Sequence, residues 1–476
     1  MPMLKSLQPC VTSPLKRTLF GVGLVLYLVA PWLNPGFVAL DDYTSLTEFF
    51  VPAQNQNVAK IIENSEIRSP IPRLMLFAIS NSLWKLGIED PFLQYQIVLT
   101  VLALFSFFIF VFCACRLYGS RPDWLRWALF FVGSFYLCPF FFSRAMIESL
   151  SAPFLALSAT CAVEYDQNSR PSSLVKSLIF LGIASTMRFQ TGVCVFAIAM
   201  LPGRRYRHWM VLAGTGLLLF LLTGSVDAWL RGSFHQSLFS YVNYNLHHSS
   251  SYGTTPFYTY LLLWMAVLVP PTFISRYRNF SVRERYRGLL PLWTFFTVFL
   301  VSHSLIPHKE ERFMVPILPV LLLALVPVTE GLFSRNPWRR NYFLLLNGFL
   351  LVTTLVSTPQ QNALELVKFL NRRPDLSVLY DYEGSVVPYL SAFLKYPVRH
   401  IRLDPSNAEL WHPENCQSVT AVRWDWTQRL FARGQTLRPL AVFKPAWPEA
   451  LFVRLNPLRN SRRGPITLYQ PPECLR

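Results

Sequence analysis

Long apolar runs alternate with short polar segments through the first three quarters of the chain. A membrane-spanning helix needs about 20 predominantly apolar residues, and fewer where its ends are polar or it is tilted. Runs of this kind recur often enough to predict eleven transmembrane helices. Their approximate bounds are 18–33, 94–115, 124–142, 149–163, 174–187, 189–202, 209–226, 257–274, 288–306, 314–329 and 341–357.

Two segments depart from this pattern. Residues 71–88 are apolar, but the loop that follows them, GIEDPFLQY, has no positive charge, so they predict a helix at the outer membrane interface instead of a crossing. The tail from residue 358 to 476 carries short β-like stretches at 377–380, 400–403 and 419–422. The sequence therefore predicts an all-α polytopic membrane domain over residues 1–357, followed by a small α/β extracytoplasmic domain.

Composition supports a membrane protein and narrows its partners. Of the 476 residues, 52% are hydrophobic and only 15% are charged, which excludes a water-soluble globule of ordinary make-up. The formal net charge of +18 could suggest a nucleic-acid partner, but the basic residues gather in short tracts between apolar runs. That distribution follows the positive-inside rule, so the predicted partner is the lipid bilayer and not nucleic acid.

The arginine tracts also set the orientation of the chain. When the sides of the membrane are alternated, the tracts all fall on the N-terminal side, which is therefore predicted to be cytoplasmic. These tracts lie at 116–126, 204–207, 276–287 and 335–340. The opposite side receives the loops 34–93 and 227–256 and the tail, where Cys416 and Cys474 either pair in an oxidising compartment or stay unpaired.

An acid pair stands directly after the first predicted span. Asp41 and Asp42 are followed by Glu48, so three carboxylates lie at the membrane boundary. Acids beside a span are costly, and this position favours a general base that takes a proton from an acceptor hydroxyl. The alternative is the solvated end of a loop.

A charged string, HKEERF, separates two later apolar runs at residues 308–313. A departing phosphate diester needs cations at headgroup depth, and His308, Lys309 and Arg312 lie there. Arg144 and Arg188 add cations at the outer ends of other spans. An ordinary charged loop, and arginines that reach to the interface from lipid, are the alternative interpretations.

The loop after the seventh predicted span is rich in amides and aromatics. Asp227, Asn243 and Tyr252 are groups that sugar hydroxyls and ring faces require, although interfacial aromatics also anchor spans. The paired His247 and His248 have no carboxylate or cysteine spaced to complete a metal site, so no metal is predicted.

These three motifs together resemble glycosyltransferase family 22, a GT-C family that includes the lipid-carrier-dependent α-mannosyltransferases of N-glycan and GPI-anchor assembly. The HKEERF string followed by Pro316 is similar to its most specific signature, and Asp41-Asp42 with Glu48 resembles its early acidic pattern. The mid-chain residues Asp227, Asn243 and Ser251-Tyr252-Gly253-Thr254 resemble its long loop, so the resemblance covers roughly residues 15–360. Asp42 stands where the family usually has Glu.

The resemblance implies a polyprenyl phosphate mannose donor, such as dolichyl phosphate mannose, and inversion of a β-linked donor to an α-linked product on a glycan or glycolipid acceptor. Asp41 matches the proposed catalytic acid and Asp42 the acid beside it. His308, Lys309 and Arg312, with Arg144 and Arg188, are predicted to bind the donor phosphate. Glu48, Asp227, Asn243 and Tyr252 are predicted to bind acceptor and sugar. No cofactor is expected beyond the lipid-linked co-substrate.

Two alternatives stay open at this point. A transporter or flippase of lipid-linked sugars would carry charges or broken helices near the middle of its spans. A GT-C enzyme that uses another polyprenyl-phosphate sugar would share the motifs. An enzyme is predicted to act on the lumenal face of the endoplasmic reticulum in a eukaryote, or on the periplasmic face of the inner membrane in a bacterium.

Overall fold

A computed structural model describes most of the chain, and in it the chain forms two compact units. The described residues are 13–39, 42–47, 58–63, 67–201, 206–249, 251, 253–268, 289–386, 389–404, 411–412, 415–427 and 437–474. The first unit comprises residues 1–32, 57–75 and 99–354. The second unit comprises residues 33–56, 76–98 and 355–476. The boundary predicted at residue 358 stays a prediction.

Helices account for most of the described chain up to residue 356. In order they are α1 Pro14–Leu33, α2 Val58–Glu63, α3 Ile71–Lys85, α4 Pro91–Tyr118, α5 Pro122–Ser134, α6 Leu137–Phe142, α7 Ile147–Asn168, α8 Pro171–Met187, α9 Val195–Ala199, α10 Tyr206–Arg231, α11 Gln236–His248, α12 Thr259–Val267, α13 Leu290–Ser304, α14 Leu318–Phe333 and α15 Pro337–Val356. 3₁₀ turns precede α9 and α14 at Phe189–Cys194 and Glu311–Ile317.

Every apolar run that predicted a span contains helix, although several helices are shorter than the run. Within the described residues, five helical stretches are long and apolar enough to cross a membrane. They are Pro14–Leu33, Pro91–Tyr118, Tyr206–Arg231, Glu311–Phe333 and Pro337–Leu370, the last interrupted at 357–360. Pro171–Met187, Phe189–Ala199 and Leu290–Ser304 are shorter apolar helices. A count of eleven crossings stays a prediction, as does the interfacial placement of α3.

Small residues bring α7 and α8 close together in the first unit. The run SLSAPFLALSATCAV in α7 is almost entirely buried, and small side chains let helix backbones approach closely. Ser158 and Ser177 exchange hydrogen bonds across the pair, each hydroxyl donating to the other residue's carbonyl at 2.8 and 2.9 Å. The α7–α8 pair therefore forms a rigid base for the residues at its ends.

The helices of this unit differ in how many of their residues are buried inside the protein. The apolar stretch ending in α14 has 83% of its residues buried, whereas the stretch in α10 has 6%. Both sequences are about equally apolar, so α10 exposes its apolar side chains to its surroundings, as expected where lipid surrounds the helix. Tyr118 fixes α4 to the central helix by donating its hydroxyl to the Leu323 carbonyl at 2.6 Å.

The second unit contains a five-stranded mixed sheet in the C-terminal part of the chain. Its strands are β1 Val378–Tyr382, β2 Arg399–Leu403, β3 Ser418–Arg423, β4 Arg438–Phe443 and β5 Ile466–Gln470. Their order is β2-β1-β3-β5-β4, with β1 parallel to β2 and β3, and with β5 antiparallel to β3 and β4. Helices α16 Gln361–Leu370, α17 Trp447–Leu455 and α18 Pro457–Asn460 complete this part. The predicted C-terminal α/β character agrees with this sheet.

Strand sequences match strand positions in the sheet. The central strand β3 is buried along its whole length, as SVTAVR allows. Edge strand β4 tolerates Pro439, next to an irregularity in its pairing, because an edge leaves backbone donors unused. Cys416 and Cys474, which flank β3 and β5, form a disulfide.

A break divides the predicted span 124–142 into α5 and α6, and one side chain satisfies the broken backbone. Asn347 of α15 is 2% exposed. It accepts the Tyr136 N–H at 3.0 Å and donates to the Ser134 carbonyl at 2.9 Å. A helix interruption in an apolar environment is tolerated only when such groups find partners.

Replacing Asn347 with leucine is expected to lower the free energy of unfolding by about 1–3 kcal/mol, because two buried backbone groups lose their partners. The measurement is the melting temperature in detergent. Asn341→Leu, at an exposed position of the same helix, is the matched control and should change it little. Equal shifts in the two variants would contradict this role for Asn347.

Candidate functional site

Three of the predicted phosphate-binding cations converge on one aromatic ring in the first unit. The ring is that of Phe313, the last residue of the HKEERF string. The guanidinium carbon of Arg188 lies 5.0 Å from the ring centroid, and that of Arg312 lies 5.6 Å away. The His308 ring meets it edge-on, with 5.9 Å between centroids. An aromatic face attracts cations, so Phe313 holds the guanidinium groups of Arg188 and Arg312 near each other although their charges repel.

Glu310 holds the side chains of Arg312 and His308 within the charged string. Its carboxylate accepts a hydrogen bond from Arg312 Nε at 2.6 Å and lies 2.9 Å from His308 Nε2. Burial alone would raise the pKa of the Glu310 carboxyl, but the hydrogen bonds and charges of Arg312 and His308 outweigh burial and hold this pKa below its usual range. Glu310 therefore stays ionised and fixes both side chains.

Local sequence explains why the string adopts this shape. Helix α13 ends at Ser304, and Pro307 three residues later cannot continue it. The 3₁₀ turn Glu311–Ile317 then begins after an extended residue, Glu310, and leads into α14. The hydroxyl of Tyr260, which is 1% exposed, donates to the Glu310 carbonyl at 3.2 Å. The string is thus a fixed turn between two helices.

Lys309 belongs to the same string but makes different contacts. Its ammonium donates to the Thr255 carbonyl at 3.0 Å and to the Ile306 carbonyl at 2.6 Å. The Thr255 N–H in turn donates to the Pro307 carbonyl at 3.1 Å. Lys309 thus ties residues 253–256 to the charged string and uses two of its three donors in doing so.

A buried ion pair joins the ends of α7 and α8. Arg188 donates to Glu148 and to the side chain of Gln190, and the side chains of Arg188 and Glu148 are each only 3% exposed. Glu148 lies in the first turn of α7, and Arg188 directly follows the last residue of α8. Each charge therefore has the sign that the helix dipole favours at its position.

Tyr241 of α11 lies beside this ion pair and was not predicted from the sequence. The pKa of its hydroxyl is raised, because the effect of burial outweighs the opposing effect of the nearby charges of Arg188 and Arg68. Its ring also packs on Phe189, with 5.5 Å between centroids. The α11 sequence is too polar to predict a span, and its pattern does not indicate which of its aromatic side chains is buried.

Of the remaining predicted site residues of the first unit, the structure describes Arg144, Asp227 and Asn243. Arg144 is 3% exposed, and its guanidinium lies over the Phe140 ring at 4.2 Å. Both oxygens of Asp227 accept hydrogen bonds from Ser237, one from its backbone N–H and one from its hydroxyl, each at 2.6 Å. Asp227 thereby stabilises the first turn of α11. Asn243 is exposed on that helix, and Tyr252 lies outside the described residues.

The acid pair belongs to the second unit. Asp42 is 6% exposed, and its carboxylate accepts the Ala39 N–H at 3.0 Å. Its carbonyl accepts the Thr47 hydroxyl at 3.0 Å. Asp41 and Glu48 lie outside the described residues. Their predicted roles, like that of Asp42, stay predictions.

A cavity of about 240 Å³ lies in the first unit, next to Asp227. Gly182, Ser185, Leu219 and Phe220 contribute to a lining that is mostly apolar. Its volume is below the roughly 300–1,000 Å³ typical of sites for drug-sized ligands. Among the residues that the structure describes, no group of three or more His, Cys, Asp or Glu could hold a metal ion.

The ion pair yields a stability prediction. Glu148→Leu leaves Arg188 buried without its carboxylate and should cost about 3–5 kcal/mol. Adding Arg188→Met should recover part of that loss, because no buried charge then remains. Melting temperatures of both variants in detergent test this.

A matched control lies on the same helix. Glu164 pairs with Arg116, whose side chain is 47% exposed, so Glu164→Leu should cost about 0–1 kcal/mol. A double variant less stable than Glu148→Leu would contradict the ion-pair argument.

The chain has the fold of a protein of known structure. Its structure matches that of ArnT from Cupriavidus metallidurans in the apo state with a TM-score of 0.61, at 13% sequence identity, covering 96% of this chain and 98% of that one. The structure of the same protein bound to undecaprenyl phosphate matches with a TM-score of 0.58 at 11% identity, with the same coverage. The chain is therefore a helical, polytopic membrane protein with the GT-C fold predicted above.

Sequence relatives are mannosyltransferases. GPI mannosyltransferase 4 of Candida albicans is 23% identical over 281 residues, covering 52% of this chain and 54% of that protein. The human alpha-1,2-mannosyltransferase ALG9 is 25% identical over 270 residues, covering 50% of this chain and 43% of that protein. The chain thus spans about half the length of these relatives.

The family itself is settled by a longer match. The model of the Alg9-like mannosyltransferases matches residues 63–377, about two thirds of the chain, and this span includes the HKEERF string and both ends of the α7–α8 pair. The family resemblance drawn from the motifs is thereby confirmed. The chain belongs to the Alg9-like mannosyltransferase family.

Proposed function

We propose that this protein transfers mannose from a polyprenyl phosphate mannose donor, dolichyl phosphate mannose in a eukaryote, to a glycan or glycolipid acceptor. The observation that carries the proposal is the convergence of Arg188, Arg312 and His308 on Phe313, inside the residues that match the mannosyltransferase family. The donor is the co-substrate, and the reaction uses no further cofactor.

The proposed reaction is a single displacement. Asp41 accepts the proton of an acceptor hydroxyl while that oxygen attacks the anomeric carbon of the mannose. The bond between that carbon and the phosphate oxygen breaks, and the polyprenyl phosphate leaves with the electron pair. Attack from the opposite face inverts a β-linked donor to an α-linked product.

The cations act on the leaving phosphate. A phosphate at headgroup depth lies next to low-dielectric lipid, where charge-assisted hydrogen bonds are stronger than in water. Arg188 and Arg312 are held by carboxylates and by Phe313, so they need little rearrangement to meet the developing charge. Lys309 supports the same string, and Arg144 remains a further donor-binding candidate.

The acceptor side of the proposal rests on the family resemblance alone. Glu48, Asn243 and Tyr252 are its candidate sugar contacts. Asp227 would have to share its carboxylate between the sugar and Ser237, which already binds both oxygens. A role for Asp227 in shaping the loop is the simpler expectation.

Charge placement favours the enzyme over a transporter. Glu148 is the second residue of α7, Arg188 directly follows α8, and the HKEERF string lies between α13 and α14. The charged groups therefore stand at helix ends, whereas a transporter would need them near the middle of its spans. ArnT is described with undecaprenyl phosphate bound, which supports a polyprenyl phosphate carrier and leaves another carrier-linked sugar as the second candidate.

The reaction is proposed to take place on the lumenal face of the endoplasmic reticulum membrane, or on the periplasmic face of an inner membrane. The Arg tracts support this orientation. The disulfide between Cys416 and Cys474 supports it too, because disulfides persist in oxidising compartments.

Asp41→Asn is expected to lower turnover by roughly two to four orders of magnitude, the loss typical of removing a general base. The assay uses purified protein in detergent, radiolabelled dolichyl or undecaprenyl phosphate mannose, and a panel of mannosylated acceptors. Asp375→Asn is the matched control, because this exposed aspartate of the C-terminal part pairs only with the neighbouring Arg373 in the contacts described. Near-normal turnover of Asp41→Asn would assign the base to another residue, and no mannose transfer by the parent protein would refute the function.

Orientation is tested with two engineered thiols of matched chemistry. Ser377→Cys lies in the C-terminal part and Ser334→Cys follows α14, and both positions are exposed. A membrane-impermeant thiol reagent applied to sealed, right-side-out vesicles should label Ser377→Cys and not Ser334→Cys. The parent protein reports the background of its natural cysteines, and the reverse labelling would overturn the proposed side of the reaction.

A further inference from the structure

A short segment late in the chain is packed against the loop that carries the acid pair. This anchor segment comprises Ser391–Lys395, and it begins with the 3₁₀ turn Ser391–Phe393. Its partners in the loop are Phe37 and Tyr43, the latter directly after Asp42. All of these residues belong to the second unit.

The first contact is a hydrogen bond to the backbone of the anchor segment. Tyr43 is 1% exposed, and its hydroxyl accepts the Ala392 N–H at 2.8 Å. The same hydroxyl lies 3.4 Å from the Ser391 hydroxyl. Because a buried backbone N–H needs a partner, the Tyr43 hydroxyl and this turn of the anchor segment hold each other in place.

The second contact is a cluster of aromatic rings around Phe393. Its centroid lies 5.0 Å from that of Tyr95, 6.0 Å from that of Tyr43 and 6.1 Å from that of Phe37. Phe37 in turn meets Tyr43 edge-on at 5.5 Å. Offset and edge-on rings at these distances interlock, so the loop cannot shift without moving Phe393.

The second half of the anchor segment is also fixed, at Phe393 and Lys395. Asn371 donates to the Phe393 carbonyl at 2.8 Å and accepts the Lys395 N–H at 2.9 Å. The Lys395 ammonium lies 2.5 Å from the Asp90 carboxylate, which also accepts the Phe92 and Leu93 N–H groups at the start of α4. A segment held this firmly can position the loop that packs against it.

The loop carries this constraint directly to Asp42. Asp42 precedes Tyr43 in the chain, and consecutive Cα atoms are about 3.8 Å apart. Asp42 closes the loop through the Ala39 N–H and the Thr47 hydroxyl. The base of the loop is fixed as well, because Asn34 donates to the Ser357 carbonyl at 2.9 Å.

We propose that the anchor segment Ser391–Lys395, acting through Tyr43 and Phe393, positions the acid-pair loop for proton transfer. Asp42 is then a positioning residue that shapes the loop, and Asp41 accepts the proton. The inference rests on the proposed function and assigns the C-terminal part of the chain a role in the reaction.

The test compares three variants that alter one feature each. Tyr43→Phe removes only the hydroxyl, and Phe393→Leu removes the ring but keeps an apolar side chain. Tyr380→Phe is the matched control, since Tyr380 is also buried in this unit and its hydroxyl also accepts a backbone N–H, from His412 at 3.3 Å. Each variant is assayed for kcat and donor KM with radiolabelled dolichyl or undecaprenyl phosphate mannose, and for hydrogen exchange of the peptide covering residues 39–47.

Small displacements of reacting groups can cost up to about 100-fold in rate. We expect kcat to fall by about 10-fold in Tyr43→Phe and by about 100-fold in Phe393→Leu, with donor KM unchanged because the donor-binding cations are untouched. Exchange in residues 39–47 should be faster in both variants. Tyr380→Phe should leave kcat and this exchange unchanged even if its melting temperature falls.

The test distinguishes failure of the positioning role from failure of the proposed mannose transfer. Parent-like kcat and exchange in Tyr43→Phe, with Asp41→Asn inactive, would overturn the positioning role alone. If the parent protein transfers mannose from neither donor, the proposed function fails, and unchanged exchange in Tyr43→Phe would refute the anchoring as well. If Phe393→Leu does not fold, Tyr43→Phe decides the matter, because it removes a single oxygen.

Discussion

The charged cluster around Phe313 depends on one constraint: a charge that is buried away from water needs a partner of opposite sign. Glu148 and Arg188 satisfy it with each other, and neither side chain is more than 3% exposed. Their pairing fixes the end of α8 against the start of α7, and it also fixes where the Arg188 guanidinium lies. Phe313 packs on that guanidinium, so the HKEERF string is positioned by the same interaction. Glu310 satisfies the same constraint within the HKEERF string, because its carboxylate binds both Arg312 and His308.

Sequence reasoning succeeded where the determining signal is local. Apolar runs predicted helices because burial in lipid demands about 20 apolar residues in succession, and the β-like stretches predicted at 377–380, 400–403 and 419–422 overlap β1, β2 and β3. Arginine tracts and the HKEERF string are also contiguous. Arg188, Arg312 and His308 could therefore be singled out from the sequence, although their arrangement around Phe313 could not, and their role in donor binding stays a prediction.

The remaining features arise from contacts between distant residues, which periodicity does not encode. Glu148 and Arg188 are 40 residues apart, and a charge near a span end looks the same whether it is paired or solvated. The break between α5 and α6 depends on Asn347, more than 200 residues later in the chain, so the run 124–142 read as one span. Tyr241 was missed for the same reason: only its neighbours, Arg188 and Phe189, distinguish it from the exposed aromatics of α11.

Contacts between distant residues also fix the acid-pair loop, which lies outside the residues that match the family. Phe37 and Tyr43 precede the matched span 63–377 and the anchor segment follows it, yet these two side chains pack on that segment within the second unit. Interlocked aromatic rings tolerate little independent change, because a smaller ring on one side leaves a cavity on the other. A substitution in either segment is therefore expected to require an adjustment in its partner. Asp42, which stands where the family usually has Glu, adds a contact within the loop itself, because its carboxylate accepts the Ala39 N–H three residues back at 3.0 Å.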